Sequence, residues 1–167
     1  MNRGHVVEFI DSQKIICAVI TDIKKMRLRL LTEHNREVKI SAGRLSHSSD
    51  TYLDLAAGRD KTVAALKKIA EHRRDLSTRI DILTLWEVLN SEHEQINLPT
   101  MTDFCFPDEP DSDHQSAVIR AFFKDRLYFK FSPEGFLPRT KHEVEKILAQ
   151  READSVRVRQ VDGGAYW

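Results

Sequence analysis

Residues 111–139 read DSDHQSAVIRAFFKDRLYFKFSPEGFLPR, and two hydrophobic periods meet inside them. In the first half Val118, Ala121 and Phe122 recur at helical spacing, with Ile119 and Phe123 beside them. In the second half Leu127, Phe129 and Phe131 alternate with Tyr128, Lys130 and Ser132, which is the period of a strand. Pro133, Glu134 and Gly135 supply a turn, and residues 136–138 a second short strand. A helix that runs straight into a β-hairpin is the way a winged helix ends.

Working backwards, Ile80, Leu83, Trp86 and Val88 or Leu89 form a helical stripe that Ser77 or Thr78 can cap. Asn97 opens a second, short helix in which Pro99 is tolerated because its first turn has unused donors anyway. Met101, Phe104 and Cys105 are its apolar side, and Pro107 and Pro110 break the chain after it. Asp111 or Ser112 caps the third helix, residues 115–124. The order helix, helix, helix, hairpin predicts a winged-helix (helix-turn-helix) domain over residues 79–139.

Upstream, HVVEFI, KIICAVITDI, MRLRLLT and EVKIS alternate as strands. In the second, Ile15, Cys17, Val19 and Thr21 face one side, and Ile16, Ala18, Ile20 and Asp22 the other. Asn35 and Arg36 form a turn, and Gly43, Arg44 and Leu45 a last short strand or turn. Five short strands within residues 1–47 predict a small SH3-like β-barrel, and the whole chain is therefore expected to be α+β. Residues 48–78 read as a polar linker followed by a basic helix over 58–74. Val63, Leu66, Ile69 and Ala70 are its stripe, and Arg59, Lys61, Lys67, Lys68, Arg73 and Arg74 lie mostly off it. Residues 140–167 begin with a capping box, Thr140 to Glu143, and continue as a helix to about Arg159. Tyr166 and Trp167 are expected to pack against something further along a longer chain.

The charge is balanced, 26 basic against 26 acidic residues, which argues against a uniformly basic nucleic-acid coat. The balance is local, however. Residues 1–45 hold nine Lys/Arg and five Asp/Glu, and residues 80–110 hold seven Asp/Glu with no Lys or Arg. Two cysteines do not make a disulfide scaffold, so a reducing compartment is expected. The opening residues do not read as a signal peptide and no apolar run spans a membrane, so the expected location is the cytoplasm, with no membrane partner.

No catalytic grouping stands out. Asp103, Asp108, Glu109, Asp111 and Asp113 crowd a proline-broken loop, where carboxylates most simply solvate a connection and cap a helix. His72 and His93 have no Cys or His at metal spacing, and Cys17 and Cys105 read as small buried hydrophobes. What remains is surface recognition. Arg120 and Lys124 are four apart on one helix, Arg126 follows, and Tyr128, Lys130 and Arg139 belong to the hairpin. Arg27 and Arg29 come from the third strand, and Lys67 from the basic helix, whose charged side is either a solvated face or a phosphate-contacting one. Asp111, Asp113, Asp125 and Glu134 offset the later cations, so duplex reading is expected to be weak.

Four stretches resemble the N-terminal region of ribonuclease II family (RNB-type) bacterial exoribonucleases, in the branch found in cyanobacteria and some other bacteria. GHVVEFIDSQKIICAVIT is similar to the family's opening strands. RLRLLTEHNREVKISAGRLSH resembles its continuation, which ends in a basic residue, here Arg44. DILTLWEVLNSEHEQINLPTMTDFCF resembles its LW-E-L segment with the short helix after it. In AVIRAFFKDRLYFKFSPEGFLPRTKHEVEKI, the Lys-Asp-Arg-Leu-Tyr-Phe-Lys run and the Phe-x-Pro-Arg element carry the likeness furthest, and it extends to the Gly-Ala-Tyr-Trp end. The resemblance implies a parent whose catalytic domain, using clustered aspartates and magnesium, hydrolyses single-stranded RNA from the 3′ end to nucleoside monophosphates. No position here matches those catalytic residues. The chain is expected to be the non-catalytic RNA-guiding part of such a parent, without a cofactor of its own. Its expected partners are single-stranded RNA and the parent's C-terminal catalytic domain. Two alternatives stay open: a structural or protein-docking module, and a winged-helix DNA-binding transcription regulator.

Overall fold

The structure is a computed structural model that describes residues 2–164, with side chains described for 2–157. The chain forms two compact units. The first takes the chain up to Ile80 and Leu98–Lys124; the second takes Asp81–Asn97 and the chain from Asp125 onward.

In the first unit, β1 (His5–Asp11), β2 (Lys14–Lys24), β3 (Arg27–Thr32), β4 (Glu37–Ser41) and β5 (Leu45–Tyr52) form one antiparallel sheet. Its order is β4-β3-β2-β1-β5. Strands β4 and β5 are the two edges and do not pair with each other, so the sheet is open and the expected SH3-like barrel is not formed. The discrepancy lies in residues 48–52. They were expected to be linker, but they run as a strand along β1, with Ser49 Oγ donating to the carbonyl of Val6 at 2.9 Å. Burial there alternates, His47 and Ser49 inward and Ser48 and Asp50 outward, but polar residues carry the alternation.

The two faces of the sheet bury different sets. Val6, Cys17, Val19 and Leu31 meet Val63, Leu66 and Ala70 of helix α1 (Arg59–Ser77). Val7, Phe9, Ala18, Ile20, Leu28, Leu30 and Ile40 form the core of the opposite face. Within β2 the strict alternation fails after Ile20. A bulge inserts Thr21, whose hydroxyl donates to the carbonyl of Arg29 at 3.1 Å, and Asp22 then stands opposite Arg29 instead of sharing the face of Ile20. Ile23 takes up that apolar face in its place.

Helix α1 also carries Arg73, three residues after Ala70, hence on the apolar stripe rather than off it, and fully buried. It faces Glu8 of β1, which is fully buried too. Helix α3 (Leu98–Cys105) packs on α4 (Ser112–Lys124), which brings Ser116 and Arg120 to the same carboxylate. Asp111 caps α4, accepting from the backbone N–H of Asp113 at 2.9 Å.

The second unit contains α2 (Ile82–Leu89), the hairpin β6 (Phe129–Ser132) and β7 (Gly135–Pro138), and α5 (Lys141–Gly164). Asp81, not Ser77 or Thr78, caps α2, accepting from the Thr84 N–H at 3.1 Å. Ile96 and Phe136 exchange both backbone hydrogen bonds at 2.8 Å, extending the hairpin by a bridge. The capping box forms as read: Glu143 N–H donates to Thr140 Oγ1, and Thr140 N–H to Glu143 Oε1, each at 3.1 Å. The helix runs past Arg159 to Gly164, while the expectation for Tyr166 and Trp167 lies outside the described residues. The order helix, helix, helix, hairpin is present, but it does not make a winged helix. Helices α3 and α4 belong with the five-stranded sheet, and the hairpin belongs with α2 and α5. Among the described residues no helix is long and apolar enough to cross a membrane.

Cys17 sits in the core beneath α1, where burial, reinforced by the charge of Glu8, pushes its thiol up to about 12. Burial also pushes Cys105 up to about 12. Both should therefore stay protonated and alkylate on the order of a thousandfold more slowly at pH 8 than an ordinary cysteine. Iodoacetamide labelling followed by mass spectrometry checks this: native protein should remain unlabelled over minutes, and protein in urea should take up two labels. Rapid labelling of the native chain would show that these thiols are not enclosed.

Candidate nucleic-acid interface

Helix α1 covers only part of its sheet face. Further along that face, past Val19 and Leu31, the cross-strand pairing places Asp22 opposite Arg29 and Arg29 opposite Lys39. The next row sets Lys24 opposite Arg27 and Arg27 opposite Ser41. Arg27 and Arg29 are exposed because their neighbours Leu28 and Leu30 point into the core of the other face. A shallow depression is lined by Asp22, Lys24, Arg27, Leu28, Arg29 and Lys39, and an adjoining one by Arg3, Thr21, Asp22, Arg29 and Glu37. Arg29 lies in both.

Five cations thus share one patch with two carboxylates, and both carboxylates have other ties. Asp22 Oδ1 accepts from the Ile23 N–H at 2.9 Å, stabilising the chain beside the bulge. Glu37 Oε1 lies 3.8 Å from Arg59 Nη1, and Arg59 also donates to the side-chain and backbone oxygens of Asn35 at 2.6 and 3.0 Å. The surface left over is positively charged, open and built on a sheet, which holds the cations in register. Sequence reading found Arg27 and Arg29 but missed Lys24, Lys39 and Arg3. The alternation of Lys24 through Arg29 was visible, but which residues of β4 stand opposite it depends on the register.

The remaining candidates are placed differently. Arg44 ends a 3-10 turn (Ala42–Arg44) and is exposed, as are Lys67 on α1 and Lys124 at the end of α4. Arg120 is corrected: it is 9% exposed and ion-paired with Glu8, and it donates to Ser116 Oγ at 3.3 Å. It belongs to a buried network. Arg73 Nη1 lies 3.2 Å from Glu8 Oε2, its Nε donates to Asp113 Oδ1 at 2.8 Å, and Ser116 donates to Glu8. Burial alone would raise the Glu8 carboxyl, but Arg120, Arg73 and the Ser116 hydroxyl outweigh it and hold the group below the ordinary carboxylate range. His47, buried close by, contacts Gln115 Oε1 through Nε2 at 3.3 Å, and burial lowers its pKa so that the ring stays neutral.

In the second unit Tyr128 and Arg139 are partly occupied by internal packing. Trp86 Nε1 donates to the Arg139 carbonyl at 2.7 Å, and its ring lies 5.2 Å from that of Tyr128. Arg139 Nε donates to the Arg126 carbonyl at 3.4 Å, and Lys130 Nζ stands 4.0 Å from Glu143 Oε2.

Helix α4 would be the groove-entering helix of a winged-helix regulator. Ser116 through Arg120 and Phe122 are buried, and Lys124 is its exposed residue. The magnesium implied by the family resemblance has no ligand set here: among the described residues no group of three His, Cys, Asp or Glu is placed to hold a metal ion. No family model, no curated protein and no solved structure matches the chain.

Proposed function

We propose that this chain is a single-stranded RNA-binding element, the guiding part of a longer hydrolytic 3′-to-5′ exoribonuclease of the ribonuclease II type. The observation that carries the binding reading is the exposed double row Lys24–Arg27 and Arg29–Lys39 on an open sheet face. Phosphates along a single strand recur at about the spacing of such rows, and the sheet presents the cations without a further cost of ordering the backbone. The assignment to an exoribonuclease rests on the sequence resemblance, and catalysis and magnesium would belong to the parent's other domain.

Binding of a fluorescent 12-nucleotide single strand, followed by anisotropy, tests the reading. Affinity should fall with salt, with a log–log slope of roughly −2 to −3 for three or four phosphate contacts. The double variant Arg29→Ala, Lys39→Ala should flatten that slope by about 1.4 and bind at least tenfold more weakly at low salt. Its circular dichroism should match the unmodified chain, since neither side chain is buried. An unchanged slope, or no binding by the chain at low salt, would return it to the structural or docking reading. For the parent, decay of a 3′-tailed RNA should require magnesium and the full chain; decay by this chain alone would contradict the division of labour.

A further inference from the structure

The bulge in β2 brings an acid into the cation rows. Had the alternation of Ile16, Ala18 and Ile20 continued, Asp22 would point into the apolar core of that face. The extra residue at Thr21 turns Asp22 onto the face of Arg29 instead. There it shares one depression with Lys24, Arg27, Arg29 and Lys39, and the adjoining one with Arg3 and Arg29.

A carboxylate in a row of cations weakens that row for phosphate. Nor is Asp22 neutralised in place. Among the described residues it makes no ion pair, although Arg29 stands opposite it and Lys24 follows two residues along the strand. Its Oδ1 accepts from the Ile23 N–H at 2.9 Å, which orients the group and leaves Oδ2 without a protein donor among the described residues.

What a carboxylate in this position can take is a hydroxyl. An O–H donated to a carboxylate makes a charge-assisted hydrogen bond, which a fully ionised phosphate has no proton to make. In RNA every backbone phosphate adjoins a ribose 2′-hydroxyl, and in DNA it adjoins none. Directly opposed residues of an antiparallel pair stand about 5 Å apart at Cα, so Asp22 and Arg29 can reach adjoining sugar and phosphate groups together.

We infer that Asp22 is the residue by which this surface distinguishes RNA from DNA: its carboxylate accepts the 2′-hydroxyl next to a phosphate held by Arg29. This rests on the single-strand RNA reading and names the group that makes the site specific for ribose.

The test titrates the whole chain against three fluorescent 12-nucleotide strands of one base sequence, with ribose, deoxyribose or 2′-O-methylribose sugars. The methylated sugar has no proton to donate. The ribose strand should bind roughly tenfold more tightly than either of the others, the worth of one hydrogen bond to a charged group. Asp22→Ala should bring the three affinities within about twofold of one another, chiefly by tightening the deoxyribose strand as the repelling charge goes. Asp22→Asn, whose amide oxygen can keep the Ile23 hydrogen bond without the charge, should fall between. Far-ultraviolet dichroism of both variants should match the unmodified chain. If alanine unsettles the bulge, the asparagine variant and the three strands on the unmodified chain decide. A 2′-O-methyl strand bound as tightly as the ribose strand assigns the preference to sugar pucker, and a full preference that survives both variants places it elsewhere; either overturns the inference. Equal affinity for all three strands overturns it too, while the cation rows stand as a single-strand site on the salt slope of the Arg29 and Lys39 variant. If no strand binds at low salt, both readings fall.

Discussion

Replacement of Glu8 by alanine is expected to remove about 3–5 kcal/mol of unfolding free energy, a large share of what a domain of this size commands. The carboxylate has no exposed surface and receives Arg73 from α1 and Arg120 and Ser116 from α4. It therefore ties two helices to one strand. Deleting it leaves two guanidiniums facing each other inside the first unit, one of them fully buried. Arg120→Ala should cost less, because Glu8 keeps Arg73 and Ser116, and Glu8→Gln should fall between, since an amide preserves shape but not charge. Urea unfolding followed by far-ultraviolet dichroism gives the order. A Glu8→Ala midpoint within about 1 kcal/mol of the unmodified protein would mean that the network is incidental to stability.

The same carboxylate sets the acid limit. Because the folded-state pKa of Glu8 lies below its unfolded value, its stabilisation is complete above the ordinary carboxylate range and is lost as pH falls through the folded value. His47 acts in the same direction from a higher pH. Its folded pKa is lowered, so the neutral ring is favoured above the ordinary imidazole value, and stability declines as pH drops below that value toward the folded one. Acid unfolding of the first unit should thus begin in the imidazole range and steepen in the carboxylate range, and Glu8→Gln should remove the steeper part.

The strands and helices with an apolar period were legible, because β1 to β4 and α1 to α4 advertise their buried faces. What stayed hidden was encoded in polar residues or in register. Strand β5 is LSHSSDTY, and its inward positions are His47 and Ser49, polar residues tied by hydrogen bonds of His47 Nε2 with Gln115 and of Ser49 Oγ with the Val6 carbonyl rather than by buried methyl groups. With residues 48–52 left out of the sheet, the short strands within residues 1–47 suit a small closed barrel. Arg73 occupied an apolar-stripe position in plain view, but its partner was a lone Glu8 between Val7 and Phe9, sixty-five positions earlier. No local pattern connects the two.

The grouping of helices failed for a related reason. Local order in residues 79–139 does suit a winged helix, but Ser116 and Arg120 commit α4 to Glu8 and hence to the five-stranded sheet. A long-range ion pair overrode the short-range motif. At the candidate interface, Arg27 and Arg29 were chosen by alternation, and their companions Lys39 and Arg3 follow only from the β3–β4 register and the turn at Gly4. Register is the quantity a single sequence specifies least visibly, since it is fixed jointly by both faces and by turn geometry.

Phe136→Ala should be the most damaging change in the second unit, costing about 3–5 kcal/mol. The ring is 1% exposed and lies 5.3 Å from that of Phe131, nearly parallel to it. Its backbone also carries both hydrogen bonds of the bridge to Ile96. The neighbouring Gly135 shows how closely this bridge is packed: its φ is +141°, and a Cβ would stand 2.6 Å from the Ile96 carbonyl oxygen. With backbone pressed against the hairpin on that side, the structure has little room to collapse into the space the ring vacates, and poor collapse puts the cost at the upper end. Trp86 reports on this unit, since its indole is tied to the Arg139 carbonyl one residue beyond β7. In a Trp167→Phe background, the emission of Trp86 should shift to the red at a lower urea concentration in Phe136→Ala. Phe131→Ala, at a position less buried than Phe136, should shift it less. An emission midpoint untouched by Phe136→Ala would mean that the hairpin does not hold α2 in place.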